Sequence, residues 1–450
     1  MDSGAVVPPA AAPDTGFITG SASGSGISDA MRLRAILAGS AGNLIEWYDF
    51  YIYAFTALYF SPAFFPKSDP LVQLMATSAI FAVGFLLRPI GGWFFGRYAD
   101  RHGRQSAMVL SVMMMGGGAL LIAVLPTFAQ VGILAPILLL IGRMVQGFST
   151  GGQYGTAATY LSEIAGRKRR GFWSSFQYVT LVGGQLCATV VIVLLQQVLT
   201  EAEMAAWGWR VGFVIGAVGA LAIVLFRHHM HETSSAEDRA GEKAGSLAEL
   251  FRVATRPFLI VVALTAGGSL SFYAFTTYMQ KYLVLTVGLS KEVATSLMLG
   301  ELALFMVLQP LMGLLSDRIG RRNNILIFAA LATVCTVPIF TALAGAKAVG
   351  PAFLLVLAGL VINSFYTSVS GLFKAEMFPT HVRALGVGLA YGVGNALFGG
   401  TAENVALAFK SAGHESLFYW YVSAIGAVSL VAAFLLKDSR RDNVLDRLAV

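Results

Sequence analysis

The chain has 450 residues, of which 56% are hydrophobic and only 12% are charged, and its formal net charge is +7. Soluble globular proteins carry about 45–50% apolar and about 25% charged residues, so this composition leaves too little polar surface for several soluble cores, and it also excludes intrinsic disorder. The two cysteines, Cys187 and Cys335, lie in apolar runs, which excludes a secreted disulfide scaffold. The class that remains is a polytopic membrane protein, in which the excess positive charge orients the loops rather than binding nucleic acid.

Twelve apolar runs of membrane-spanning length, about 20 residues each, follow one another along the chain. The runs are continuous, whereas the strands of a membrane β-barrel alternate in polarity over about ten residues. We therefore predict an all-α membrane protein with twelve transmembrane helices, divided into two groups of six by a polar stretch at 227–255. The predicted spans are 35–61, 71–96, 106–126, 132–160, 171–199 and 208–226, and then 256–284, 293–315, 323–343, 350–373, 384–409 and 416–436.

The distribution of lysine and arginine predicts the orientation of these spans. With both termini in the cytoplasm, 23 of the 31 Lys and Arg residues, Lys374 among them, fall on the cytoplasmic side and 6 on the other side. Such a bias follows the positive-inside rule. The predicted domains are a disordered cytoplasmic tail at 1–32, a six-helix bundle at 33–227, a cytoplasmic linker loop at 228–255, a second six-helix bundle at 256–437 and a short cytoplasmic tail at 438–450.

An internal repeat supports the division into two halves. The stretch GRYADRHGR at 96–104 matches GLLSDRIGR at 313–321 with an offset of 217, and both copies follow the second span of a half. A second match joins Glu163 and Arg170 to Glu376 and Arg383 at an offset of 213. Two parallel six-helix halves are an architecture of membrane transporters.

The doubled G-x-x-x-D-R-x-G-R motif resembles the loop signature of the major facilitator superfamily. Other runs resemble its metabolite:proton symporter family, namely GNLIEWYDFY at 42–51, RPIGG at 88–92, RMVQG at 143–147 and GGQYG at 151–155. Longer runs are similar to the α-ketoglutarate-transporting members of that family, namely SFQYVTLVGGQ at 175–185, SFYAFTTYMQKY at 271–282 and KAEMFP at 374–379. In two places the chain departs from the family: Gln153 stands where a glutamate is usual, and Glu301 is not expected.

The resemblance implies the major facilitator fold and a secondary active transporter, not an enzyme, that works by alternating access without a cofactor. It implies import of a small carboxylate, α-ketoglutarate or a related dicarboxylate or keto acid, by proton symport. The expected partners are the substrate, protons and the lipid bilayer of the inner membrane, with a functional monomer and no nucleic acid. Two alternatives remain: a proton symporter for a zwitterion such as betaine or proline, and a non-transporting sensor, which the non-titratable Gln153 favours.

Ionisable residues inside the predicted spans are the first candidates for function, because charges within a bilayer are costly and usually face a cavity. Asp49 and Arg143 fall at similar depth, somewhat outward of the midplane, if each helical residue rises about 1.5 Å. A first-helix acid opposite a fourth-helix arginine resembles the coupling pair of proton-linked sugar porters; the alternative is a structural ion pair. Glu46 lies three residues before Asp49 on the same helical face. Asp49, Glu46 and Arg143 are therefore predicted to couple protons.

Arg88 is predicted to bind a substrate carboxylate, because guanidinium groups bind carboxylates through two parallel hydrogen bonds. The alternative is that Glu46 merely neutralises Arg88. Protonation of Asp49 would also free Arg143 to bind an anion. A dicarboxylate needs a second cation or a dense set of donors, for which the further candidates are Gln153, Gln177, Tyr273, Tyr278, Lys281 and Tyr366. Helix–helix hydrogen bonds, and snorkelling of Lys281 to the interface, are the alternatives for these residues.

The repeated loop motif is predicted to form a cytoplasmic gate. Acidic residues contribute little to the positive-inside rule, so the repeated aspartate indicates pairing between helix ends rather than orientation alone. The predicted gate residues are Asp100, Arg101, Arg104, Asp317, Arg318 and Arg321. The sequence predicts no metal site.

Overall fold

A computed structural model of the chain describes residues 29–436, apart from 67–68, 103, 153, 155–157, 159–160, 163–164, 166–168, 228–246 and 380–381. Within these described ranges the chain is helical and forms no β-strand. We call the residues up to 227 the first half of the chain and those from 247 onward the second half.

The described part of the first half contains long helices with two helices of only three and four residues among them. They are α1 (Asp29–Phe64), α2 (Pro70–Leu86), α3 (Arg88–His102), α4 (Arg104–Val124), α5 (Phe128–Val131), α6 (Leu134–Ser149) with the 3-10 helix Thr150–Gly152, α7 (Arg170–Val198), α8 (Glu201–Glu203) with the π-helix Met204–Gly208, and α9 (Trp209–Arg227).

The second half likewise combines long helices with shorter ones. They are α10 (Leu247–Phe275), α11 (Met279–Tyr282) with the π-helix Leu283–Val287, α12 (Lys291–Ile319), α13 (Arg321–Ala344), α14 (Val349–Thr367), α15 (Ser370–Met377), α16 (Arg383–Gly394) with the π-helix Asn395–Gly399, α17 (Ala402–Ser411) and α18 (Ser416–Phe434).

Each predicted span overlaps a helix or a series of consecutive helices, and residues 153, 155–157 and 159–160 of the span 132–160 lie outside the described chain. Eight helical stretches of the described chain are long and apolar enough to cross a membrane, and two shorter apolar helices lie at Val109–Val124 and Leu134–Ser149. The two predicted spans outside these groups correspond to α1 and to α16 with α17, and these helices contain the buried acids Glu46, Asp49 and Glu403. That all twelve cross the bilayer remains a prediction.

Helix ends follow local sequence signals. The Asp69 carboxylate accepts a hydrogen bond of 2.8 Å from the backbone N–H of Leu71 and caps α2, whose first residue is a proline. The Ser290 hydroxyl caps α12 by accepting a hydrogen bond from the backbone N–H of Val293, and Gly320 follows the last residue of α12 with a φ of 93° that suits a glycine. Polar side chains at these turns therefore fix where the apolar helices begin.

Two boundaries differ from the predictions. α10 begins at Leu247, within the stretch predicted as a linker loop, and its backbone breaks at Ala254, where φ is −138°. Its first part is helical because Leu250 packs inside the protein. Near the N-terminus, α1 begins at Asp29, inside the predicted disordered tail at 1–32. Residues 1–28 and 437–450 lie outside the described chain.

The two halves pack along several helix pairs. α7 lies against α12, α2 against α17, and α3 against α16. The first pair approaches closely at its glycines, because a Cβ at Gly313 would lie 2.5 Å from the carbonyl oxygen of Gly171. Only glycine permits this approach. The contacts between α7 and α12 thus hold together the ends of the halves at which Asp317 lies.

Candidate functional site

The buried acid Asp49 of α1 lies against α6. Gln146 of α6 donates a hydrogen bond of 2.6 Å from Nε2 to Asp49 Oδ2, and its Oε1 accepts one of 2.8 Å from Arg143 Nη1. The predicted opposition of Asp49 and Arg143 is therefore present, but an amide lies between them. Sequence reasoning missed Gln146, although its position three residues after Arg143 in RMVQG places it on the same helical face.

Arg143 is fully buried among aromatic rings. Its guanidinium carbon lies 4.6 Å from the ring centre of Phe50, 4.3 Å from that of Tyr53 and 5.1 Å from that of Phe81. Its Nε and Nη2 atoms have no hydrogen-bond partner among the described residues. Cation–π contacts stabilise the charge, but two unmet donors leave this arginine able to bind another acceptor.

Arg88, the first residue of α3, is also buried among aromatic rings. Its guanidinium carbon lies 4.2 Å from the ring centre of Phe50, 4.3 Å from that of Phe85 and 4.9 Å from that of Trp47. Its Nε and Nη2 have no hydrogen-bond partner in the described part of the chain. Glu46 lines the same cavity as Arg88. Two unmet donors of one guanidinium match the two oxygens of a carboxylate.

The cavity at Arg88 lies between the two halves of the chain. One wall comes from α1, α3 and the segment after α6, and the other from α16. The lining residues are Asn43, Glu46, Trp47, Arg88, Thr150, Gly151, Tyr154, Gly388, Tyr391 and Gly392. A central cavity between two helical halves is where a transporter of this architecture binds its substrate.

Glycines bring the helices around this cavity together. A Cβ at Gly147 would overlap the backbone of Gly84, and a Cβ at Gly151 would overlap the backbone at Arg88. Such contacts are accessible only to glycine. They set the spacing of α2 and α3 from α6, and thereby place Arg88 and Arg143 on either side of Phe50.

Lys281 is buried and paired, and it does not snorkel. Its Nζ donates hydrogen bonds to the Glu403 carboxylate at 3.0 Å and to the Ala54 carbonyl at 2.5 Å, and the side chain is fully buried. Because Glu403 neutralises it, Lys281 is a weaker candidate for an anion site than the sequence indicated. The contact with Ala54 joins the second half of the chain to α1 of the first half.

Lys374 is the cation that the sequence placed wrongly. It lies on α15 with no exposed surface, not in a cytoplasmic loop. Its Nζ donates to Ser370 Oγ at 2.6 Å and to Tyr154 Oη at 3.1 Å. The predicted span ends at residue 373, whereas α15 continues to Met377 and includes Lys374. A helix that continues past residue 373 is the signal that would place Lys374 inside the helix bundle.

The other predicted substrate residues are dispersed. Tyr273 packs on Phe85, with ring centres 5.3 Å apart, and so lies beside the surroundings of Arg88. Tyr366 is buried against Phe328 and near Lys374. Tyr278 instead packs on Phe418 and donates a hydrogen bond of 3.4 Å to Glu415.

Two further polar residues are buried inside the protein. Gln177 of α7 is buried, and its Oε1 has no described hydrogen-bond partner. Glu301 of α12 is fully buried, and neither of its carboxylate oxygens has a hydrogen-bond partner among the described residues. Gln153 lies outside the described residues.

The second copy of the loop motif contacts the other half of the chain directly. Asp317 accepts hydrogen bonds from the backbone N–H groups of Gly171 at 2.8 Å and Phe172 at 3.1 Å, so it caps the first turn of α7. Arg321 lies 3.4 Å from Asp317 and 3.7 Å from Glu376. Arg318 is exposed. The side chains of Asp100, Arg101 and Arg104 lie outside the described part of the structure.

Comparisons with known proteins agree with this architecture. The sequence profile of the Major Facilitator Superfamily matches residues 39–402. The chain is 53% identical to an alpha-ketoglutarate permease of Escherichia coli K12, over 90% of this chain and 94% of the relative. It is 33% identical to a citrate-proton symporter of Klebsiella pneumoniae, over 91% of this chain and 93% of the relative. It is 32% identical to a proline/betaine transporter of Escherichia coli K12, over 92% of this chain and 85% of the relative.

The fold is also shared with solved transporter structures. A proton:xylose symporter superposes with a TM-score of 0.75, covering 94% of this chain and all of the other, at 16% identity. That identity supports a common fold and nothing finer. Together with the profile match and the 53% identity over nine-tenths of the chain, it establishes that this multi-pass membrane protein belongs to the major facilitator superfamily.

Proposed function

We propose that the chain imports α-ketoglutarate, or a related dicarboxylate or keto acid, together with protons. The protein works by alternating access in the inner membrane, as a monomer with both termini in the cytoplasm. The relatives named above support transport of a small carboxylate, and the bias of Lys and Arg towards one side supports the orientation.

The observation that carries this proposal is that the buried guanidinium of Arg88 has donors without a hydrogen-bond partner among the described residues. A guanidinium is always charged, and burying a charge without a hydrogen-bonded partner costs several kcal/mol or more. Arg88 faces a cavity between the halves with two N–H groups unmet. A substrate carboxylate supplies both the acceptors and part of the missing charge. Arg88 therefore binds the carboxylate, and the neighbouring Glu46 tunes the local charge.

Proton coupling runs through Asp49, Gln146 and Arg143. While Asp49 is ionised, Gln146 is held between the carboxylate and the guanidinium. Protonation of Asp49 removes the negative charge from one end of this hydrogen-bonded series, which leaves the charge of Arg143, packed with Arg88 on Phe50, without compensation. An anion then binds more tightly when the proton is present, and this linkage is what a symporter requires.

Alternating access needs contacts between the halves that break in turn at each end. Asp317 on the N–H groups of α7 is such a contact at one end. At the other end, Lys281 contacts the Ala54 carbonyl and Asn404 donates to the Met75 carbonyl at 2.9 Å. Both sets are formed together, as in a conformer closed to both sides. The doubled loop motif serves as the cytoplasmic gate.

The zwitterion alternative is supported by the similarity to a proline/betaine transporter. A zwitterion has one carboxylate and one cation, and would need an acid or an aromatic cage for its amine. The buried cations with unmet donors beside Phe50 are Arg88 and Arg143, and the 53% identity to an alpha-ketoglutarate permease exceeds the 32% identity to the proline/betaine transporter. An anion fits these arginines better, and the sensor alternative has no such support.

The test is uptake of labelled α-ketoglutarate into proteoliposomes, with and without an inward proton gradient. We expect accumulation above the external concentration only with the gradient. Arg88→Gln should raise the KM about 10- to 100-fold, because a charged hydrogen bond contributes about 1.5–3 kcal/mol. Arg210→Gln is the matched control, since Arg210 donates to the Ala123 carbonyl away from the cavity.

Three results would overturn the proposal. Accumulation of betaine or proline but not of any carboxylate would favour the zwitterion symporter. Equal, non-accumulating uptake with and without the gradient would indicate a uniporter or exchanger. Specific binding without uptake would favour the sensor.

A further inference from the structure

Lys374 is a buried cation without a counter-ion in the described structure. Its side chain has no exposed surface, and no described carboxylate lies within 4.0 Å of Nζ. Its hydrogen-bond partners are two hydroxyl groups, Ser370 Oγ and Tyr154 Oη. An ammonium has three N–H donors, so one remains without a described acceptor. Lys281, equally buried, has the Glu403 carboxylate beside it. A carboxylate can therefore lie beside a buried lysine in this protein, as Glu403 lies beside Lys281.

Aromatic rings surround Lys374. Nζ lies 4.6 Å from the ring centre of Tyr391, 5.1 Å from that of Tyr154, 5.4 Å from that of Tyr366 and 5.5 Å from that of Phe373. Ring faces attract cations, and more strongly in a dry site. These contacts partly offset the cost of burying an ammonium but supply no negative charge, so a carboxylate that enters the site would stabilise the charged form of Lys374.

Lys374 is connected to the cavity at Arg88 through two tyrosines. Tyr154 and Tyr391 line that cavity. Their rings are stacked, with centres 3.4 Å apart and planes within 10° of parallel. One of them comes from the first half of the chain and the other from α16. The stack therefore lies between the two cations, and its separation would open the cavity towards Lys374.

We propose that Lys374 is a specificity-determining residue that binds the second carboxylate of a transported dicarboxylate, while Arg88 binds the first. This inference rests on the proposed function, and it restricts the substrate to dianions long enough to contact both halves. The incoming carboxylate replaces the Tyr154 hydroxyl as an acceptor and supplies the charge that the cage lacks. One cation from each half then holds the two ends of one substrate, which favours closure around a dicarboxylate over closure around a monocarboxylate.

The test compares two ligands that differ in one carboxylate. Purified protein in detergent is titrated with α-ketoglutarate and with 2-oxopentanoate, which has the same carbon chain without the second carboxylate. Binding is measured by calorimetry. We expect the unaltered protein to bind the dicarboxylate about 10- to 100-fold more tightly, as one charged hydrogen-bonded contact would give. Lys374→Met should lose this preference by weakening α-ketoglutarate alone, with 2-oxopentanoate unchanged.

Lys410→Gln is the matched control, because Lys410 pairs with Glu415 at 3.0 Å and is not part of the cavity. It should leave both affinities unchanged. Lys374→Gln keeps polar donors and replaces Lys374→Met in the experiment if the methionine variant does not give monodisperse protein. It should also reduce the preference, because the charge is gone.

Each outcome decides between the inference and the function on which it rests. Equal weakening of both ligands by Lys374→Met would mean that the lysine only supports the fold of the cage, and would overturn the inference. An unchanged preference would do the same, with the proposed function intact. No binding of α-ketoglutarate by the unaltered protein would overturn both. Equal affinity for the two ligands in the unaltered protein would overturn the two-cation site while keeping carboxylate transport.

Discussion

Gln146 donates a hydrogen bond of 2.6 Å to Asp49, and through this amide the acid of α1 is connected to Arg143 of α6. The geometry differs from a direct ion pair. A direct pair would hold the arginine tightly, whereas the amide leaves two guanidinium donors without a described partner. The acid and the cation are thus linked, but the cation is still able to respond to an anion.

We expect Asp49→Asn to uncouple transport from the proton gradient. An asparagine has nearly the same shape and can still bond to Gln146, but it cannot take up or release a proton. Accumulation driven by an inward proton gradient should be lost, while exchange of labelled for unlabelled substrate continues. Both are measured in the same proteoliposomes. Gradient-driven accumulation in the variant at the rate of the unaltered protein would exclude Asp49 as the coupling acid.

Replacement of Gly147 should destabilise the protein, whereas replacement of Gly117 should not. A Cβ at Gly147 would overlap the backbone of Gly84, and a Cβ at Gly117 would meet nothing within 4 Å. We expect Gly147→Ala to cost about 1–3 kcal/mol or more, as overpacking does. Gly117→Ala should be neutral or slightly stabilising. The measurement is thermal unfolding in detergent, and equal midpoints for the two variants would contradict the close approach of α2 and α6.

Asp317→Ala should open the contact between the halves, beyond its cost to helix stability. Asp69 is the matched control, because it caps α2 within one half, whereas Asp317 caps α7 across the two halves. Each substitution should remove about 1 kcal/mol of capping energy. Only Asp317→Ala should also shift the closed conformer towards an open one, by about 5- to 30-fold for a loss of one or two kcal/mol.

The readout for this pair is thiol labelling at the start of α7. Ser174→Cys, in a chain with Cys187→Ser and Cys335→Ser, introduces a buried thiol near the capped turn. A water-soluble thiol reagent should label it faster when Asp317 is replaced, and at the unaltered rate when Asp69 is replaced. Equal labelling rates in all three proteins would show that Asp317 does not hold this end closed.

Glu403→Gln should be strongly destabilising, because it leaves Lys281 charged and buried. Breaking one side of a buried ion pair costs about 3–5 kcal/mol. The double variant Lys281→Met, Glu403→Leu should recover much of that loss, since no charge remains buried. The control is Glu201→Gln, which breaks the pair of Glu201 with Lys291 at the surface; it should cost less than about 1 kcal/mol.

The measurement is the free energy of unfolding from denaturant titration in micelles. A double variant as unstable as Glu403→Gln would show that packing, not the charge of Lys281, accounts for the loss. A large effect of Glu201→Gln would mean that surface pairs contribute more to this protein than their exposure suggests.

Much of the fold could be read from the sequence because a bilayer imposes simple rules on composition. Continuous apolar runs predicted the helices, and the repeated GRYADRHGR and GLLSDRIGR stretches predicted two related halves. Asp49, Arg88 and Arg143 stood out because charges inside apolar runs are rare. None of these inferences needed contacts between distant parts of the chain.

Partnership between side chains was decided only by the tertiary structure. Gln146 is a neutral residue in a helix, and nothing local to it indicates Asp49 as its partner. Lys281 and Lys374 are both lysines near predicted helix ends, yet one has a carboxylate from α17 and the other has only hydroxyls and rings. Periodicity sets which residues lie inside a helix bundle, because burial depends on the apolar stripe of each helix. Which of them meet depends on how the helices cross, and the close approach of glycines such as Gly84 and Gly147 sets that crossing.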